Sequence, residues 1–404
     1  SFKVSEFSLI RVDSDSNIIF VAAVTSLVLA LTWGGSTYAW SSGRVLAPLI
    51  LGIAGIIAFL FIERSFVRYP TVPFDILRSR TTLLGYATTF LHSVVMMEIV
   101  YFLPTAYFQA AREFSPIRSG TALFSFSCES ASFRCDSRTS GSPLLCLGST
   151  VAPFAIITGA WVTVTQKYKL QNLVGWSFAC LGSGLLILLK WDSSKGLWAG
   201  LFVCFILFLF LLSLLTKLFA QSFVVGIGLG ILYTGTQFAV LAPLSPRQQP
   251  HAIAFFGFVR ALGQVFGISI GTTALQNQLN KKLPAAFVAE IGGSAEAAFA
   301  AIPRISSLYV PPLPSLRDRS SLIVRSANRP EPTRTAVRAA FADSAQVLWI
   351  IACAMAGAAL LLSLFLENLK LATTGDENWG LKDKSTSNAA SPQGVEEKTV
   401  GAAA

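Results

Sequence analysis

Residues 197–241 read "LWAGLFVCFILFLFLLSLLTKLFAQSFVVGIGLGILYTGTQFAVL", an apolar stretch 45 residues long. A helix needs only about 20 predominantly apolar residues to cross a hydrocarbon core of roughly 30 Å, where every backbone N–H and C=O must be satisfied within the segment. The stretch is therefore twice as long as one crossing requires. Read as one span it gives the chain eight crossings; read as two, nine.

The rest of the 404-residue chain has the same character. It is 53% apolar and only 13% charged, with a positive mean hydropathy, against about 25% charged residues in soluble domains. This composition indicates a membrane protein. The net charge of +10 comes from Lys and Arg scattered through short loops and one long polar segment. No compact basic patch of the kind that binds nucleic acid is visible. The six cysteines, Cys128, Cys135, Cys146, Cys180, Cys204 and Cys353, form no CxxC pair, and there are two histidines. Neither a zinc site nor a disulfide framework is indicated, and no cofactor or metal is expected.

Working outward from the long stretch, further spans are expected at residues 18–40, 45–62, 82–108, 172–189, 251–275 and 344–366. "VAPFAIITGAWVTV" (151–164) is too short to cross alone, and "GTALFSF" before it would complete the crossing. Residues 1–16, "SFKVSEFSLIRVDSDS", are not a signal peptide. They read as a polar cytoplasmic linker, and the lack of an initiating Met suggests sequence upstream. From residue 367 the tail is rich in Ser, Asn, Gly and charge and reads as disordered and cytoplasmic. With a cytoplasmic start and eight spans, Arg68, Arg78, Arg80, Lys167, Lys169 and Arg247 fall inside, a modest positive-inside bias that favours eight over nine.

Five stretches, "LTWGGSTYAWSS", "VPFDILRSRTTLLGYATTFLH", "YFLPTAYFQAAREFSPIRSGTALF", "VAPFAIITGAWVT" and "LAPLSPRQQPHAIAFFGFVRALGQVFGISIGTTALQNQL", together resemble the second part of a fungal major facilitator superfamily transporter of the fourteen-span, drug-efflux-like type. The resemblance covers most of residues 10–370. It implies an all-α membrane protein: two central helices (17–66) followed by a carboxy-terminal bundle (67–366), about eight family-like helices in all with one further helix if residues 203–221 belong to the fold. It also implies an integral protein of the plasma or vacuolar membrane, a proton-coupled exporter of small, largely apolar molecules, with lipid, protons, a small-molecule substrate and a missing amino-terminal bundle as partners. The family's first six spans and their signature motifs are absent from the sequence. A transport-incompetent membrane fragment is the competing expectation.

Three segments depart from the family pattern: 128–150, 203–221 and 309–329. Removing residues 203–221 leaves one span of ordinary length. Its opening Val-Cys can be encoded by GTATGT and its closing Ala-Gln can end in CAG, as a translated intron would. The two readings of these segments are unspliced or misannotated sequence and real insertions, the latter a ninth helix and two loops.

Ionisable and polar residues inside spans are candidates for function, since burying them in hydrocarbon is costly unless they face a cavity or a partner. Glu98 is the candidate for proton coupling, because desolvation disfavours the charged form of a carboxyl; the alternative is a carboxyl near the interface, with Tyr101 and Pro104 marking the outer end. His92 lies six residues earlier, about 240° around the helix from Glu98, and reads as a satisfied core histidine or a proton relay. Arg260 and Gln264, one turn apart, line an anionic or polar substrate path, or Arg260 snorkels to the cytoplasmic end. Tyr233 and Gln237 have the same spacing and supply either hydrogen bonds to a solute or contacts between helices. "GIGLG" (226–230) is read as small-residue packing, since no strand or Gly-Lys-Ser/Thr accompanies it. With two distant histidines and one clear intramembrane carboxylate, an enzyme is not expected.

Overall fold

The computed structural model describes residues 14–66, 71–72, 74–117, 119–120, 151–191, 220–246, 248–290, 295–300, 302 and 331–369. Almost all of residues 203–221, and all of 128–150 and 309–329, lie outside this set. Among the described residues every extended element is a helix. Among the described residues, seven helices are long and apolar enough to cross a membrane.

α1 (Ser14–Trp33) and α2 (Gly43–Ser65) form a hairpin in which Gly52 and Gly55 of α2 lie against Ala23 and Leu27 of α1. Expected to reach residue 40, the first span stops at Trp33 because two glycines follow it. Gly35 adopts φ +75°, and its N–H donates to Tyr38 O at 2.7 Å. α1 begins at Ser14, inside the expected linker of residues 1–16, and the buried Ser16 hydroxyl donates to Glu63 Oε1 at 3.1 Å.

α3 (Arg80–Phe102) is capped by Ser79, and its helical path runs on as a π-helix from Leu103 to Ala111. Pro104 accounts for the widened turn, since it has no N–H to continue the ladder and its ring crowds the preceding carbonyls. α4 (Val151–Thr165), α5 (Tyr168–Ile187) and α6 (Ala220–Leu241) follow. Within residues 197–241 the described portion is thus one helix of span length. α7 (Gln249–Lys282) and α10 (Glu331–Leu364) run longer than the apolar pattern implied, at 34 residues each. The short α8 (Ala285–Glu290) and α9 (Ala295–Ala300) lie between them.

Small residues set the spacing of the helices. Gly263, Gly267 and Gly271 of α7 lie one turn apart and meet Phe90, Ser93, Val94, Met97 and Phe102 of α3. Lipid tails are as apolar as leucine, so packing at close approach takes over from the hydrophobic effect in holding helices together. The "GIGLG" stretch works in the same way: Gly228 sits against Gly175 and Ala179 of α5, and Gly230 against Val151 and Phe154 of α4. A ladder on one face of α7 docks α1, with Thr273 donating to Leu31 O at 2.7 Å and Asn277 to Gly34 O at 3.4 Å.

At one end of the bundle Arg334 donates to Glu113 Oε1 at 2.9 Å and Arg338 to Ala111 O at 2.9 Å, tying α10 to the end of the π-helix. At the other, the Tyr168 hydroxyl donates to Glu367 O at 2.5 Å and accepts from Leu369 N at 3.3 Å. Residues 367–369 are thus held against α5, and residues 370–404 of the expected tail lie outside the described set.

Exposed apolar side chains cover the outward faces of α2 (Ile50, Leu51, Ile57, Phe61), α4 (Ile156, Trp161) and α10 (Ile350, Leu361). Patches of this extent suit lipid rather than water. The protein is an integral, multi-pass membrane protein.

Candidate functional site

Glu98 is 1% exposed, and both of its carboxylate oxygens are buried without a hydrogen-bond partner. It sits on α3 between the turns of Val94 and Phe102, which pack on Gly267 and Gly271 of α7. The helical path continues past it, through Tyr101 and Pro104, to Ala111. An orphaned buried carboxyl calls for an explanation, since nearly all buried polar groups in folded proteins are paired.

His92, also 1% exposed, lies on a different side of α3 and places Nε2 3.0 Å from Leu229 O of α6. A carbonyl can only accept, so Nε2 carries the hydrogen, and in the neutral ring Nδ1 then presents a lone pair. Nδ1 is buried and has no partner. The ring meets Trp176 of α5 and Tyr233 of α6 edge-on, each with centroids 6.3 Å away. His92 is thus half satisfied, a core histidine with one open nitrogen.

On the far side of Tyr233 stands Arg260 of α7. Its guanidinium carbon lies 4.0 Å from the Tyr233 ring centroid and 4.6 Å from that of Phe256. Nη2 donates to Tyr233 O at 2.7 Å, while Nε is buried without a partner. Arg260 thus lies within an aromatic bracket formed by Tyr233 and Phe256. Gln264 is exposed one turn further along α7, and Gln237 is half-buried one turn beyond Tyr233.

The structure therefore joins residues that the sequence offered as separate pairs. His92, Tyr233 and Arg260, from three helices, form one contiguous cluster, and Glu98 stands apart from it. Phe256 and Trp176 complete the cluster and were missed. Phe256 was within reach of sequence reasoning, lying four residues before Arg260 and so on the same helix face; Trp176 carried no such signal. Among the described residues no group of three or more His, Cys, Asp or Glu side chains is placed to hold a metal ion. Chemically the cluster can bind: it offers a fixed cation, aromatic faces and a ring nitrogen, with no nucleophile and base in contact.

No family model matches the chain. Individual proteins do. The chain is 31% identical over 376 residues to an MFS transporter L2 of Phoma sp., a match covering 93% of this chain and 53% of the relative. It is 27% identical to the efflux pump FUS6 of Gibberella moniliformis over 95% of this chain and 59% of that one. The MFS-type efflux pump LUC4 of Fusarium sp. is also 27% identical, over 93% of this chain and 57% of its own length. These relatives are transporters and pumps, not enzymes. The chain spans a little over half the length of the curated relatives it matches. An all-helical membrane bundle that aligns along nearly all of its length with such proteins is similar to transporters of the major facilitator superfamily.

Proposed function

We propose that this chain forms part of a proton-coupled exporter of small, largely apolar molecules. The observation that carries the reading is Glu98: a carboxyl buried inside a span with both oxygens unpaired. Desolvation disfavours the charged form of such a group, so its protonation follows its access to water. A helix bundle that rocks between two openings changes that access on each cycle, which couples proton movement to the movement of a solute.

The working transporter places a second bundle opposite the face of α6 and α7 that carries Tyr233, Arg260 and Gln264. Two observations favour this. The relatives are nearly twice as long as the aligned region, and this face differs from the apolar outer faces in presenting Arg260 and Gln264 inside a span. Charged groups at membrane depth face protein or water-filled cavities rather than lipid. The plasma or vacuolar membrane is the expected site.

The test is solute movement in sealed vesicles under an imposed pH gradient. Glu98→Gln should abolish gradient-driven efflux and leave solute exchange across the membrane intact, because exchange needs the rocking motion but not the proton. Wild-type rates of gradient-driven efflux in Glu98→Gln would remove Glu98 from the mechanism.

A further inference from the structure

Arg260 makes one hydrogen bond, to Tyr233 O, although a guanidinium has five N–H donors and stays charged under all ordinary conditions. Among the described residues the acid–base ion pairs are those of Glu113 with Arg334 and Arg338. Among the described residues no carboxylate is paired with Arg260 within 4.0 Å. Its positive charge is spread instead over two ring faces, those of Tyr233 and Phe256. Ring quadrupoles attract a cation without cancelling its charge. A positive charge is therefore held in place inside a span with no carboxylate partner among the described residues.

The surroundings of that charge are selective. Tyr233 is 39% exposed, and along α7 the exposed positions beside Arg260 are Gly257, Ala261 and Gln264. An added methyl at Gly257 would meet nothing within 4 Å. Next to the guanidinium there is thus a shallow apolar surface with an aromatic ring on one side and an amide on the other. A small, strongly hydrated inorganic anion would gain little from the ring and the small side chains. A planar organic acid would pair its carboxylate or enolate with the guanidinium fork and lay its apolar body along Tyr233 and the small residues of α7.

We propose that Arg260, braced by Tyr233 and Phe256, binds the anionic end of an amphipathic organic acid on the shared face of α6 and α7. The proposal rests on the transport reading above and narrows its substrate class, from largely apolar molecules to apolar molecules bearing one acidic group. Gln264 and the Tyr233 hydroxyl supply neutral hydrogen bonds to the same ligand.

The test is equilibrium binding of naphthoate and of its uncharged isostere naphthamide to the purified chain in lipid nanodiscs at neutral pH. Naphthoate should bind the wild-type chain about tenfold or more tightly than naphthamide. Arg260→Gln should remove that preference, while Arg260→Lys, which keeps the charge but loses the fork, should retain part of it. Near-equal binding of the two probes to the wild-type chain overturns the proposal, as does the absence of naphthoate binding to folded protein. A preference that survives in Arg260→Gln, or displacement of naphthoate by inorganic phosphate at equal concentration, overturns it too. The wild-type comparison stands even if a variant fails to fold. Equal binding of the probes with vesicle efflux intact defeats only the anion claim; absence of gradient-driven efflux by the assembled transporter containing this chain defeats the transport reading.

Discussion

Replacing Gly267 with alanine tests whether close approach at the glycine stripe holds α7 against α3. The new methyl would stand 2.6 Å from Val94 O and 3.1 Å from Val94 Cα. Carbon and oxygen come no closer than about 3.3 Å even in favourable C–H···O contacts, so the two helices must part by about 0.7 Å. Both offending atoms belong to backbone and have no rotamer by which to move aside. A gap of that size forfeits roughly a quarter to a half of each dispersion contact along the seam, and overpacking of this kind costs about 1–3 kcal/mol. Alanine also returns up to about 1 kcal/mol of helix propensity, which would mask part of the loss. Gly257→Ala on the same helix separates the two effects, because its methyl meets nothing within 4 Å and collects only the propensity gain. Reversible unfolding in mixed micelles of dodecyl maltoside and dodecyl sulfate, followed by circular dichroism, reads the difference. Gly267→Ala should be less stable than Gly257→Ala by about 1–3 kcal/mol. Equal stability of the two variants would refute the account of how α3 and α7 are held together.

Gly35→Ala should destabilise the chain by about 1 kcal/mol or more, because Gly35 has φ +75° and a methyl there would stand 2.7 Å from Asn277 Oδ1; Gly43→Ala, with open space around it, is the control in the same micelle assay. The Sγ atoms of Cys180 and Cys353 lie 3.7 Å apart between α5 and α10, and a disulfide requires about 2.05 Å. Copper(II) phenanthroline, accepting two electrons as the thiols release two protons, should therefore link them in a variant whose other four cysteines are serine. Protection of both thiols from maleimide is the readout, and labelling that persists after oxidation would show that these faces do not meet. The Glu98→Gln vesicle experiment and the naphthoate binding comparison complete the set.

Residues that must sit in hydrocarbon were easy to find in the sequence, since continuous apolar runs are the direct consequence of satisfying a backbone without water. The ends of the helices were harder. Gly34 and Gly35 stop α1 short of residue 40, and α10 begins at Glu331, well before its apolar run, because a helix can continue into polar surroundings where hydropathy no longer marks it. The glycines four apart on α7 are visible as a pattern, but their partner on α3 is not. The separation of Glu98 and His92 on α3 follows from the 100° step of the helix, which is local geometry. By itself the sequence determined the class of protein and the presence of the long apolar helices. Only the tertiary structure decided that His92, Tyr233 and Arg260 form one cluster and that Glu98 has no partner, because the rotation and tilt of each helix are set by packing against neighbours remote in the chain.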